Sequence, residues 1–248
     1  MSGHSKWAQI KRKKAVVDAK RGKIFTKLIK EITVAARIGG GDENANPRLR
    51  QAVYTAKAAN MPANNIKKAI QRGTGELPGI VYEEAVFEGY GPGGIPLMIE
   101  VLTDNRKRTV AELRHLMAKY GGNLGEPGCV SWIFDKRGLI TVDKEGIAED
   151  SLLETVLEGG GDDLVEEDDV FEVISSPENL HSVREHLEKR GFVVKGAEVT
   201  MIPKNTIRVN EEIAGSLLKL MDTLEDHDDV QNISSNFDID ESVLAEVS

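Results

Sequence analysis

The sequence of 248 residues has a single cysteine, Cys129, few aromatic residues (5%) and no long hydrophobic run. Its longest strongly apolar stretch, residues 95–102, contains Glu100 and is far shorter than the ~18 residues that a membrane-spanning helix needs. One cysteine cannot form an intrachain disulfide, and the basic N-terminus lacks the apolar segment of a secretory signal. We therefore expect a cytoplasmic protein that does not insert into membranes.

The sequence also lacks the motifs of the common catalytic and cofactor sites. It contains neither a G-x-x-x-x-G-K-[ST] phosphate loop nor a G-x-S-x-G nucleophile elbow. The glycine-rich segment 89–94 lies between two predicted strands, whereas a dinucleotide-binding loop opens a helix. The histidines are scattered, the acidic clusters lack calcium-loop spacing, and Cys129 has no C-x-x-C partner. We predict no enzymatic activity, cofactor, bound metal or small-molecule substrate.

The most informative feature of the chain is its uneven charge. The formal net charge is −9, but residues 1–76 carry 17 Lys and Arg against 5 Asp and Glu, a net charge of +12. The remainder carries 15 basic and 36 acidic residues, a net charge of −21. This asymmetry indicates a basic module that binds a polyanion, attached to acidic domains that would repel one.

The basic part is predicted to be an arm followed by a helical bundle. Residues 1–22 are rich in Lys and Arg and poor in apolar residues, so we expect a mobile arm. Apolar periodicity, with Asn46-Pro47 and Pro62 as start signals, predicts three helices. These helices span residues 22–38, 46–60 and 62–72. Their apolar faces would close a three-helix bundle, which makes residues 1–77 the first domain.

The acidic part alternates predicted strands and helices. The predicted elements are a hairpin of strands 82–88 and 96–103, a helix opened by a capping box at residues 109–112, and a strand over 130–134. Residues 136–203 then show the βαββαβ order of the ferredoxin-like plan.

The segments that flank this unit are each incomplete alone. We therefore predict one discontinuous α/β domain, residues 78–135 plus 204–248, with the domain of residues 136–203 inserted into it. The fold class is α+β and multidomain: an N-terminal three-helix bundle followed by two α/β ferredoxin-like domains, one inserted in the other.

The candidate binding residues are the basic side chains of the arm and bundle. The lysines of the first helix fall on the face opposite its apolar residues, where they would contact phosphates. The predicted nucleic-acid-binding residues are Lys6, Trp7, Lys11, Arg12, Lys13, Lys14, Lys20, Arg21, Lys23, Lys27, Lys30, Arg37, Arg48 and Arg50, with Lys67, Lys68 and Arg72 nearby. Trp7 would supply either a stacking surface or an apolar anchor that packs on the bundle.

A secondary basic patch is predicted in the acidic part, beside a helix N-terminus. It comprises Arg106, Lys107, Arg108 and Arg114. A helix N-terminus itself favours anions, so the patch could add to a polyanion-binding surface. The alternative is a simple solvated turn.

Several short motifs are spread in order over nearly the whole chain. They are residues 1–7 (MSGHSKW), 19–28 (AKRGKIFTKL), 46–50 (NPRLR), 60–62 (NMP), 89–94 (GYGPGG), 102–106 (LTDNR), 121–125 (GGNLG) and 228–231 (DDVQ). Together these motifs resemble the YebC family of probable transcriptional regulators. Residues 126–129 depart from the commoner ending of that loop in the family.

The resemblance implies a non-enzymatic protein with a helical bundle and two α/β domains. Family members are described both as DNA-binding transcriptional regulators and as translation factors that act on the ribosome. A DNA reader needs side chains that contact base edges, whereas the basic stripe is rich in Lys and poor in Asn and Gln, which suits backbone contact. The partner is therefore expected to be nucleic acid. It is DNA for a transcriptional regulator; the alternative is a ribosome-associated translation factor that binds ribosomal RNA or tRNA through the same basic domain.

Overall fold

A computed structural model describes Trp7, Ile10 and residues 19–167, 169–240 and 242–244. It is a mixed α/β structure that divides into two compact units. One unit is Asp135–Ile202; the other joins Ser2–Phe134 to Pro203–Ser248. The helical bundle therefore shares a unit with the first α/β segment and the C-terminal segment.

Three helices form the bundle: α1 (Ala19–Gly39), α2 (Pro47–Ala58) and α3 (Ala63–Thr74). The predicted start of α2 is confirmed, since the Asn46 side chain accepts a hydrogen bond from the Leu49 N–H and Pro47 follows in the first turn. Gly75 ends α3 in the left-handed conformation, with φ of 85°. Ile32, Leu49 and Ile66 lie in one buried cluster that joins the three helices.

The same unit contains a four-stranded sheet. Its strands are β1 (Glu83–Tyr90), β2 (Pro96–Thr103), β3 (Asn123–Leu124) and β9 (Val230–Ser235), in the order β3-β1-β2-β9. The predicted hairpin is confirmed, with β1 and β2 antiparallel from Glu83↔Thr103 to Tyr90↔Pro96. A side chain at Gly89 would place Cβ 2.4 Å from the Asn123 carbonyl oxygen, so only glycine permits this approach of β3.

Helices α4 (Arg106–Lys119) and α7 (Glu211–Glu225) contribute to the hydrophobic core of this sheet. Leu97 and Ile99 of β2, Leu113 of α4 and Leu217 of α7 belong to one buried cluster. Two short strands, β8 (Ile207–Arg208) and β10 (Phe237–Asp238), pair in parallel and form a separate two-stranded sheet.

The unit Asp135–Ile202 is built from four strands and two helices. In chain order they are β4 (Phe134–Asp143), α5 (Glu149–Glu158), β5 (Asp163–Glu166), β6 (Val170–Ser175), α6 (Leu180–Lys189) and β7 (Val194–Pro203). The sheet order is β5-β6-β4-β7. This is the βαββαβ succession that the sequence predicts. Both helices and the strands contribute buried residues, such as Leu152 of α5, Val173 of β6 and Leu187 of α6.

Two element predictions are wrong in detail. The predicted strand 130–134 is a 3₁₀ turn, Ser131–Ile133, because the Glu88 carboxylate accepts hydrogen bonds from the N–H groups of Val130 and Ser131 and holds the segment bent. The capping box at Thr109 does not open α4. That helix begins at Arg106, because the Asn105 side chain accepts a hydrogen bond from the Arg108 N–H.

The predicted mobile arm falls mostly outside the described residues, but two of its side chains are described. Trp7 is 3% exposed and Ile10 is 5% exposed, and both belong to the hydrophobic cluster of the α/β sheet. At these two positions the arm is anchored by apolar burial. Helix α1 also begins at Ala19, three residues earlier than the sequence predicts. Within the described part of the chain, no helix combines the length and apolarity that would let it cross a bilayer.

Candidate nucleic-acid interface

The basic stripe of α1 contacts the C-terminal end of α7. The Lys23 Nζ donates a hydrogen bond to the Asp226 carbonyl oxygen at 3.1 Å, and the Lys27 Nζ donates to the Glu225 carbonyl oxygen at 2.5 Å. Helix α7 has no basic residue in its own last turn and ends on acidic side chains, an arrangement that the helix dipole disfavours. The two lysines supply the positive charge and the hydrogen-bond donors that this helix end lacks.

Lys30 continues the same contact in a buried position. Lys30 is buried, and its Nζ donates hydrogen bonds to the Asp229 carboxylate at 2.8 Å and to the Asp228 carbonyl oxygen at 2.9 Å. The sequence places Lys30 on a phosphate-facing stripe. The structure corrects that orientation, because the face opposite the bundle core is covered by residues 225–229.

Asp229 is the buried centre of a polar cluster, which we call the Asp229 cluster and of which Arg108 is the exposed member. Its members are Lys30, Thr103, Arg108, Thr109 and Asp229. The Asp229 carboxylate also accepts hydrogen bonds from the Arg108 guanidinium at 2.6 Å and the Thr109 hydroxyl at 2.7 Å. Burial alone would raise the pKa of Asp229, but the hydrogen bonds from Lys30, Arg108 and Thr109 outweigh it and hold that pKa well below its usual value.

The Asp229 cluster shares Asp229 with the one candidate metal-ligand group among the described residues. Ligand atoms of Glu112, His227 and Asp229 lie within 4.8 Å of one another. The Glu112 carboxylate is hydrogen-bonded to the His227 ring at 3.0 Å, and Asp229 already has two cationic partners. Because a divalent cation would have to displace these positive charges, the group fits an ion-pair network better than a metal site.

The other predicted bundle arginines are also engaged within the protein. Arg37 donates a hydrogen bond to the Tyr82 carbonyl oxygen at 2.6 Å. Arg48 is paired with Glu31 at 2.7 Å and Glu84 at 2.7 Å. Arg50 donates to the carbonyl oxygens of Glu43 and Asn44, which close the turn before α2.

One basic face of the bundle remains open. The outer face of α3 consists of Asn64, Lys67, Lys68, Gln71 and Arg72, which lie within an arc of about 140°. Lys67, Lys68 and Arg72 are exposed, and none of them has an ion-pair partner in the described part of the chain. These three cations, which the sequence places only near the site, are the ones most available to a polyanion.

The remaining predicted residues divide into three groups. Lys6, Lys11, Arg12, Lys13 and Lys14 lie outside the described residues, and for Lys20 and Arg21 only the helical backbone is described. Trp7 is buried as an apolar anchor, but it packs in the hydrophobic cluster of the α/β sheet and not in that of the bundle. In the secondary patch, Arg106 pairs with Glu83 and Arg108 with Asp229, whereas Lys107 and Arg114 are exposed and unpaired among the described residues.

Sequence reasoning missed the Asp229 cluster, although two motifs contain its parts. Thr103 lies in residues 102–106 and Asp229 in residues 228–231. Asp229 accepts a hydrogen bond from Lys30, and Thr103 is linked to Asp229 through the Thr109 hydroxyl. The only signal in the sequence is that one motif contains an aspartate, Asp229, while another contains a hydroxyl residue and a basic residue, Thr103 and Arg106. The partners themselves are more than 100 positions apart in the sequence.

Two protein-family models match successive parts of the chain. The family model described as the TACO1/YebC protein N-terminal domain matches residues 5–76, and the model described as the TACO1/YebC second and third domain matches residues 82–237. The chain belongs to the TACO1/YebC family. The two matches meet between Glu76 and Tyr82, where the bundle ends and the first sheet begins.

Curated relatives in the TACO1/YebC family are similar over their full length. A probable transcriptional regulatory protein of Desulfotalea psychrophila is 57% identical over 249 residues and covers all of both chains. One of Geobacter sulfurreducens is 57% identical over 239 residues, or 96% of each chain. The crystal structure of the conserved hypothetical protein Aq1575 from Aquifex aeolicus is 47% identical, covers 92% of this chain and 94% of that chain, and has a TM-score of 0.84. The predicted YebC-type regulator is thus confirmed at the level of the family.

Proposed function

We propose that this protein is a non-enzymatic regulator of gene expression that binds nucleic acid in the cytoplasm through its N-terminal bundle. The observation that carries the proposal is the outer face of α3, with three exposed cations and no acidic residue on the helix. In a chain with an acidic excess, unpaired cations on one helix face are suited to a phosphate backbone.

The contact is expected to be mainly with the backbone. Lys67, Lys68 and Arg72 supply charge, whereas base readout from this face would rest on Asn64 and Gln71. Gln71 already hydrogen-bonds Glu76 at 3.3 Å. The nucleic acid is therefore recognised by shape and charge, which accommodates the names of the relatives and also a ribosomal RNA partner.

The domain arrangement forms part of the proposal. We take the chain as a basic arm and bundle (1–77), a discontinuous α/β domain (78–135 plus 204–248) and an inserted domain (136–203). The support is the separate hydrophobic cluster of the bundle and the compact unit Asp135–Ile202. No catalytic role is assigned to any domain, in keeping with the family's names.

Neutralising the outer face of α3 tests the function. The variant Lys67→Gln, Lys68→Gln, Arg72→Gln is expected to bind both a DNA duplex and an RNA hairpin roughly tenfold more weakly at about 0.1 M salt. Its logarithmic salt slope should fall in magnitude by about 2 to 3, because three phosphate contacts are lost. Gln has nearly the helix propensity of Lys, so thermal unfolding should not change.

A matched control carries the same charge change elsewhere. The variant Lys136→Gln, Lys189→Gln, Lys195→Gln removes three exposed cations from Asp135–Ile202 and should bind like wild type. Equal affinity of the α3 variant and this control would contradict the proposal. Loss confined to one DNA sequence would instead indicate base readout by α3. Sedimentation of a low-salt lysate shows whether the wild-type protein travels with ribosomes.

A further inference from the structure

Helix α4 presents a second cationic face, in the acidic part of the chain. Its outer face consists of Lys107, Ala111, Arg114, His115, Ala118 and Lys119, all of them exposed. The only acidic residue of α4 is Glu112, which lies at the edge of this face and pairs with His227. The alanines between the cations leave room for a polyanion to approach the helix closely.

The position of Lys107 has a cost in stability. The first turn of α4 contains three basic residues and no acidic one, although the helix dipole favours negative charge there. Arg106 and Arg108 are compensated by Glu83 and Asp229, but Lys107 has no acidic partner among the described residues. A side chain that opposes the local electrostatics without compensation is typical of a position kept for function.

The cationic surface extends beyond α4 onto α7. A hydrogen bond from Thr223 and the nearby charges of Lys119 and Lys219 lower the pKa of Tyr120. Lys219 of α7 is exposed and lies close enough to act on the same phenol. The C-terminal end of α4 therefore combines two lysines with an aromatic ring, which the Lys119 ammonium approaches to 5.2 Å from the centroid.

Tyr82 lies between this surface and the bundle. Burial and the nearby Asp104 charge raise the pKa of Tyr82, and the nearby Arg72 charge opposes them. Arg72 belongs to the outer face of α3, and Asp104 directly precedes α4. The Lys30 ammonium lies 5.4 Å from the Tyr82 ring centroid. The two cationic faces belong to one compact unit.

We infer that the outer face of α4, with Lys107, Arg114 and Lys119, is a second contact surface for the phosphate backbone of the same nucleic acid that the α3 face binds. This inference rests on the proposed function and adds the α/β part of the chain to the binding surface. A folded RNA or a duplex can contact both faces, because each reads only charge and shape.

The test uses full-length variants. Lys107→Gln, Arg114→Gln, Lys119→Gln is compared with the α3 variant and with the control Lys136→Gln, Lys189→Gln, Lys195→Gln by anisotropy of a labelled RNA hairpin and a DNA duplex. We expect the α4 variant to lose about tenfold in affinity and about 2 to 3 in salt slope. Inorganic phosphate at equal ionic strength should not compete. Lys107→Gln alone should slightly raise the unfolding temperature. The unfolding temperature of the triple variant shows whether its lost binding is lost folding.

The outcomes separate this inference from the proposed function. If wild type binds neither probe, the proposed function fails and the α4 surface fails with it. If the α3 variant loses affinity and the α4 variant binds like the control, only the α4 surface is overturned. If inorganic phosphate competes fully, the site binds a free anion and the backbone contact is likewise overturned. Loss of affinity in the α4 variant without competition by phosphate supports the inference.

Discussion

Replacing Asp229 with asparagine is expected to lower the free energy of unfolding by about 3–5 kcal/mol. The change removes the charge that compensates Lys30, whose side chain is 9% exposed and cannot regain its hydration without opening the contact between α1 and α7. Arg108 is 42% exposed and can be rehydrated, so the loss falls mainly on Lys30. Urea unfolding monitored by circular dichroism measures the difference.

Two further variants make this result specific. Asp226→Asn removes an acidic group that is 53% exposed and 3.7 Å from Lys23, so it should cost less than about 1 kcal/mol. Adding Lys30→Met to Asp229→Asn should restore part of the lost stability, because the uncompensated buried charge is gone. A cost for Asp229→Asn no larger than that of Asp226→Asn would show that the Asp229 cluster does not hold the bundle in place.

The lowered pKa of Asp229 gives the same cluster a signature in acid. A carboxyl whose folded pKa lies below its unfolded value stabilises the fold above about pH 4, and that contribution is lost as the pH falls toward the folded pKa. Wild type should therefore lose stability below about pH 4, and Asp229→Asn should lack this part of the decline. Parallel pH titrations of the two unfolding midpoints measure it.

The elements that the sequence predicts well are those specified locally. Asn46-Pro47 places its own hydrogen-bond acceptor and fixed φ at the start of α2, and the hairpin of β1 and β2 joins neighbouring strands. The strand expected at residues 130–134 fails because its conformation depends on Glu88, some 40 positions earlier. Local propensity cannot report such a tertiary override.

The candidate site was harder to predict because a basic side chain can contact either a phosphate of a ligand or an acceptor group of its own chain. A helical wheel shows that Lys23, Lys27 and Lys30 lie opposite the apolar face of α1, but it does not show whether water, phosphate or another part of the chain covers them. The net charges of +12 and −21 suggest repulsion of one polyanion by the acidic domains. In the structure the opposite charges also attract each other, in pairs such as Arg48 with Glu84.

Replacing Trp7 with alanine is expected to lower the free energy of unfolding by about 3–5 kcal/mol, as for other large-to-small changes in a core. Trp7 is 3% exposed and belongs to the same hydrophobic cluster as Leu97 and Leu217. Its indole N–H is buried without an acceptor among the described residues, so Trp7→Phe should cost much less. Urea unfolding ranks the variants.

The second tryptophan is the matched control. Trp132 is 68% exposed, and Trp132→Ala should change stability by less than about 1 kcal/mol. In a Trp132→Phe background, the emission of Trp7 should be blue-shifted and resistant to iodide. Equal costs for the two alanine variants, or free quenching of Trp7, would make Trp7 available for stacking on bases after all. The expected result also means that deleting residues 1–76 removes core side chains, so that nucleic-acid binding is better dissected with full-length variants.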